Sequence, residues 1–157
     1  MRDEPILMTR DGVRRIEREL QELEHRRLPQ LAELLREARN VAGDVADNGE
    51  CLGLLAEQER VHARIRDLRL QLGRAAVVEP QSDGRAGLGS WVVLRRGDGE
   101  EQERYQLVGQ GEADPLRGRI SIASPLGKAL LGRRRGEHVE WVAPNRVRHA
   151  ATLVAVD

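Results

Sequence analysis

Phenylalanine is absent from these 157 residues, and two tryptophans and one tyrosine are the only aromatic side chains. Little is available to line an aromatic pocket. A single cysteine, Cys51, excludes an internal disulfide. No apolar run approaches the roughly 18 residues a membrane span requires, and no basic, apolar, small-residue leader opens the sequence, so the expected compartment is the cytoplasm, with no membrane partner. Net charge is also missing. Residues 1–79 carry 14 basic and 16 acidic side chains and residues 80–157 carry 12 and 10, which together make the 26 of each sign. With neither half biased, bulk binding to nucleic acid is not expected. His25, His62, His138 and His149 have no spacing typical of a metal site, which argues against a structural zinc. A phosphate-binding glycine loop and a nucleophile motif are likewise missing.

What is present is a helical period. Val13, Ile16, Leu20, Leu23, Arg27, Leu31, Leu34, Ala38 and Val41 follow the alternating three-and-four spacing of a coiled-coil seam, with only Arg27 breaking the apolar run. After Gly43-Asp44-Val45-Ala46-Asp47-Asn48-Gly49-Glu50, the spacing resumes at Leu54, Gln58, Val61, Ile65, Leu68, Leu72 and Ala75. A short connection makes two such helices antiparallel neighbours. The first arm, from about Asp11 to Val41, would run roughly 45 Å at about 1.5 Å per residue. Pro29 should kink it, because proline removes a backbone donor and its ring collides with the preceding turn. The connecting segment therefore places a cluster of carboxylates at the tip of a stiff hairpin. Such a tip can be carried into another macromolecule's active site. Taken alone, Asp, Asn and Gly there are ordinary capping and turn residues, Glu50 reads as a helix N-terminal charge, and Cys51 as a small filler.

Near Pro80-Gln81-Ser82-Asp83-Gly84 the heptads stop and the period changes. Trp91–Leu94, Arg104–Val108, Arg119–Ile122, Val139–Val142 and the stretch from Val147 to Val156 read as short strands. Ser124 suits an N-cap, Pro125 a first helical position, and Gly132 the end of a helix over Leu126–Leu131. The organisation expected is α+β: an N-terminal coiled-coil hairpin over residues 1–79 and a small domain over residues 80–157.

Met8-Thr9-Arg10-Asp11-Gly12 at the front, Arg26-Arg27 with Pro29 and Glu37-Ala38-Arg39 in the first arm, and Glu112-Ala113-Asp114, the run from Ile120 to Gly132, and Gly136-Glu137-His138-Val139 at the back together resemble the bacterial GreA/GreB transcript cleavage factors. The resemblance runs from Thr9 to about Val156. It implies an FKBP-like C-terminal domain and a hairpin that enters the secondary channel of bacterial RNA polymerase, where the nascent RNA 3′ end of a backtracked complex lies. It further implies that Asp44 and Asp47 are the catalytic acids, helping to hold a second Mg²⁺ shared with the polymerase for attack of water on the RNA phosphodiester. The factor would have no cofactor of its own and would not be an enzyme alone. The docking surface implied for the polymerase comprises Asp114, Ser124, Pro125 and Leu126. At the tip the family usually shows Gly-Asp-Leu, a variable residue, Glu-Asn, a small residue and Glu-Tyr. Here Asp47 replaces the glutamate, Cys51 stands in place of the tyrosine, Leu55 replaces a common basic residue, and one residue is added between Arg39 and Gly43.

Three readings follow: a factor that stimulates cleavage, an inhibitor that occupies the channel without promoting cleavage, and a peptidyl-prolyl isomerase suggested only by the FKBP-like fold. The third needs an aromatic-lined proline pocket, which this composition opposes, and fold analogy alone does not carry function.

Overall fold

The computed structural model describes residues 4–42 and 49–157. The chain divides into two compact units, one formed by residues 14–74 and the other by residues 1–13 with 75–157. A line drawn where the heptads stop, at residue 79, does not coincide with this division. The reason is a short parallel pairing in which β1 (Ile6–Met8) lies beside β2 (Ala75–Val77), with Ile6 opposite Ala75 and Met8 opposite Val77. Parallel neighbours need a long crossover, and here everything between the two strands supplies it.

The unit of residues 14–74 is a helical hairpin. Its first arm comprises most of α1 (Arg10–Glu22), a π-helical turn at Leu23–Arg27, and α2 (Leu28–Ala42), while α3 (Gly49–Arg74) is the second. The kink expected at Pro29 takes the form of this π turn. The Leu28 amide donates to the Leu23 carbonyl, five residues back rather than four, which widens the backbone directly before the proline ring and accommodates it. One extra residue per turn rotates everything that follows by about 100°. The seam expected at Leu34 and Val41 is displaced accordingly: Leu35 is 5% exposed, whereas Leu34 is 41% and Val41 89% exposed. Leu31, Leu35 and Ala38 are the buried positions of α2, and Val61, Ile65 and Leu68 of α3 fall where the heptads place them. Leu31, Val61 and Ile65 form one cluster, with Leu20, Leu23, Leu28 and Leu54 packed around it.

Arg27, the break in the apolar run, is explained by its partner. Its guanidinium bonds the Glu57 carboxylate on α3. The Glu19 carboxylate likewise takes two bonds from Arg64, at 2.7 and 3.1 Å, and raises that arginine's pKa. As the position on the first arm advances from Glu19 to Arg27, its partner on the second retreats from Arg64 to Glu57, which fixes the arms as antiparallel. Half exposed, each contributes at most about 1 kcal/mol, so the apolar seam dominates stability.

In the second unit, a five-stranded sheet runs in the order β5-β4-β3-β7-β6. Its strands are β3 (Trp91–Arg95), β4 (Gln102–Val108), β5 (Arg119–Ser121), β6 (His138–Val142) and β7 (Arg148–Val156), within two residues of each expected end. Only β4 and β5 are parallel. Val92, Leu94, Leu107, Val139, Ala151 and Leu153 supply the buried face, and Leu130 of α4 (Pro125–Leu130) closes over it. Helix α4 is held tightly at Gly127. A Cβ there would fall inside contact distance of the Ser121 carbonyl and the Ile122 Cα, all backbone atoms with no room to yield. Gly127→Ala is expected to cost about 1–3 kcal/mol, as overpacking does, read as a lowered thermal midpoint; an unchanged midpoint would show that α4 can shift away from β5.

Candidate functional site

Asp44 and Asp47 lie outside the described residues. What the structure places is their immediate flank. Helix α2 runs to Ala42 and α3 begins at Gly49, with Glu50 exposed in its first turn, where a carboxylate complements the helix dipole. Cys51 is fully buried in the hairpin, consistent with a filler. No cluster of three or more metal-ligating side chains occurs among the described residues.

The residues expected to dock on a partner flank β5. Asp114 caps a 3₁₀ turn at Pro115–Arg117 and is not a free carboxylate: it accepts a bond from Arg119 Nη2 at 3.1 Å, with Arg117 Nε at 3.7 Å. Its backbone also pairs with Arg119 in both directions, at 2.9 Å each. At the other end of β5, the Ser124 hydroxyl donates to the Ser121 carbonyl at 2.6 Å and accepts from the Gly127 amide at 3.1 Å, so it is spent on starting α4. Leu126 packs on the core. Of the four expected residues, Pro125 alone is exposed.

Two features escaped the sequence. Leu116, beside Asp114, is 98% exposed on the rigid 3₁₀ turn, which Gly118 terminates at φ 67°. A leucine held in water on a turn exposes apolar area that burial would stabilise; only its position after an Asp-Pro pair could have flagged it. The second is Glu112, 6% exposed. Its carboxylate accepts from the Thr9 amide at 2.8 Å, from the Thr9 hydroxyl, and from the Gly109 amide at 3.0 Å. Thr9 in turn accepts from the Gly12 amide at 3.0 Å, capping α1. A Cβ on Gly12 would strike the Glu112 carboxylate. Thr9, Gly12 and Glu112 thus form one device, in which an acid from far along the chain satisfies and complements the positive end of α1.

The aromatic side chains lie on three different strands. Trp91 is covered by the Arg104 guanidinium at 4.3 Å, Trp141 stacks on His149 at 5.3 Å, and Tyr105 lies on β4, three strands from β6. Burial, then a hydrogen bond with Glu103, pushes the Tyr105 pKa up, so its phenol stays protonated at neutral pH.

Comparison with known proteins was consistent across the chain. The family model "Transcription elongation factor, N-terminal" matches residues 6–77, and "Transcription elongation factor, GreA/GreB, C-term" matches residues 81–157. The chain is 38% identical over 150 residues to the transcription elongation factor GreA of Syntrophobacter fumaroxidans, spanning 94% of this chain and 96% of that one. It is 39% identical over 142 residues to GreA of Paracoccus denitrificans, spanning 90% of each. Among solved structures it is similar to the transcription factor Gfh1 (33% identical, 98% of this chain and 97% of that chain, TM-score 0.47) and to Gfh1 of Thermus aquaticus (31% identical, 98% of each, TM-score 0.44).

Proposed function

Because this chain belongs to the GreA/GreB family of transcription elongation factors, matched along both of its parts, we propose that it docks on bacterial RNA polymerase, inserts its hairpin into the secondary channel, and stimulates the polymerase's own cleavage of backtracked RNA. The observation that carries this reading is the pair Asp44 and Asp47, two carboxylates three residues apart in the connection between α2 and α3. Mg²⁺ takes one or two carboxylates with water completing its shell, so this donor set fits the ion. When bound, the ion would supply Lewis-acid activation of water and charge neutralisation at the phosphodiester. The chain's contribution is to deliver and orient Asp44 and Asp47; Cys51, the one thiol of the supporting helices, is buried. Acting inside the transcription complex, the protein would work in the cytoplasm, and no helix among the described residues is long and apolar enough to cross a membrane.

The test is a stalled elongation complex with 3′-labelled RNA: added protein should release short 3′ fragments. Inhibition is the second reading, favoured by Asp47 in place of the family's glutamate and by Cys51 buried in place of its tyrosine. In that case nucleotide addition slows and no fragment appears.

Docking is assigned to the surface flanking β5, with Asp114 and Ser124 setting its shape while Pro125 and Leu116 make contact. Rigid presentation reduces the ordering cost of binding. Leu116→Asp combined with Pro125→Ala is expected to weaken polymerase binding about tenfold, the effect of losing an interface anchor worth at least 1–2 kcal/mol, without altering the thermal midpoint. Unchanged affinity in a titration would place the docking surface elsewhere.

A further inference from the structure

On the sheet face turned away from α4 lies an open cavity of about 450 Å³. Its floor is apolar, formed by Val93, Val154 and Ala155. A bulge creates this floor: Val93 pairs with Ala155 while Leu94 pairs with Leu153, so Val154 has no partner on β3. Such bulges re-aim side chains. Around the floor stand Arg95, Arg135 and Gln102. Two nearby arginines are committed elsewhere. Arg96 holds Glu103 at 2.9 Å, and Arg133 holds Glu137 at 3.2 Å. Glu137 also takes the Arg134 amide at 2.5 Å, which holds its carboxyl below the usual range. Arg95 and Arg135 have no ion-pair partner among the described residues.

We propose that this cavity is a docking site for an acidic peptide segment of a partner protein, its carboxylates bound by Arg95 and Arg135 and an intervening apolar side chain seated on Val93, Val154 and Ala155. Guanidinium groups match carboxylates in fork geometry, and two strand spacings of about 4.8 Å each separate β3 from the chain beside β7 at Gly136. Carboxylates two residues apart in an extended segment are separated by about 7 Å, and the long arginine side chains reach inward over the remaining few ångströms of that backbone interval of about 10 Å. A single nucleic-acid strand fits less well. It uses aromatic platforms for its bases, and no aromatic side chain lines this cavity.

The experiment uses the full chain and a fluorescent peptide of alternating glutamate and leucine, read by anisotropy. Arg95→Glu with Arg135→Glu is expected to weaken binding at least about tenfold, with Arg146→Glu, a reversal elsewhere on this unit, leaving it unchanged. Circular dichroism checks folding, and the single changes Arg95→Ala and Arg135→Ala serve if the double variant does not fold. Absence of peptide binding to the parent protein, equal losses for Arg146→Glu, or displacement of the peptide by an oligouridylate of equal charge at lower concentration would each overturn the assignment, the last in favour of nucleic acid.

Discussion

Asp44→Ala and Asp47→Ala are each expected to abolish release of short RNA from backtracked complexes while polymerase binding stays intact. Under the proposed function chemistry is lost before affinity, because the two carboxylates would touch the reacting centre while docking would rest on the surface flanking β5. The effect is expected to exceed a hundredfold, since a misplacement of about 1 Å at a reacting centre already costs that much. The instructive variant is Asp47→Glu. It restores the methylene that the family normally uses for reach, so under the cleavage reading it preserves or increases the rate. Under inhibition it changes nothing, because the added residue before Gly43 still alters the aim of the segment. Slowed nucleotide addition with no cleavage product from either the parent chain or Asp47→Glu would discard cleavage and leave the inhibitor.

The second large effect concerns the hairpin. Leu35→Ala is expected to cost about 2–5 kcal/mol, the range for truncating a buried leucine, whereas Leu34→Ala should stay within about 0.5 kcal/mol, as exposed substitutions do. A strict heptad puts the loss at Leu34. Thermal or urea unfolding of the two variants therefore tests the π turn itself. If Leu34→Ala is the damaging change, the first arm is α-helical throughout and the seam keeps its original phase. Pro29→Ala is a useful companion measurement: removing the ring that the widened turn accommodates permits the arm to revert, and the sensitivities of positions 34 and 35 should then converge.

Much of this protein was legible from the chain alone, for a physical reason common to the successes. The strands over Trp91–Arg95 and Arg148–Val156, the cap at Ser124 with Pro125 behind it, and the seam at Val61, Ile65 and Leu68 are set by side-chain period and by local backbone chemistry. Each depends on neighbours within a turn or a strand. Asp44 and Asp47, which the sequence marks by a short motif between two periodic segments, lie outside the described residues, and the RNA-release measurement above is their test.

What only the tertiary structure decided involves residues far apart in the chain. Leu35 rather than Leu34 is buried because one wide turn before Pro29 shifts the phase of all that follows, and a repeat counted along the sequence does not register an inserted residue. Glu112 reaches Thr9 across 103 positions, and β1 meets β2 only once the whole hairpin has closed between them. Arg95 and Arg135 are two exposed arginines among 25 until the sheet sets them on either side of one bulged strand, with Arg96 and Arg133 paired to Glu103 and Glu137. Periodicity and capping act through adjacent atoms and are written in adjacent residues; convergence of distant charges is a property of the packed chain.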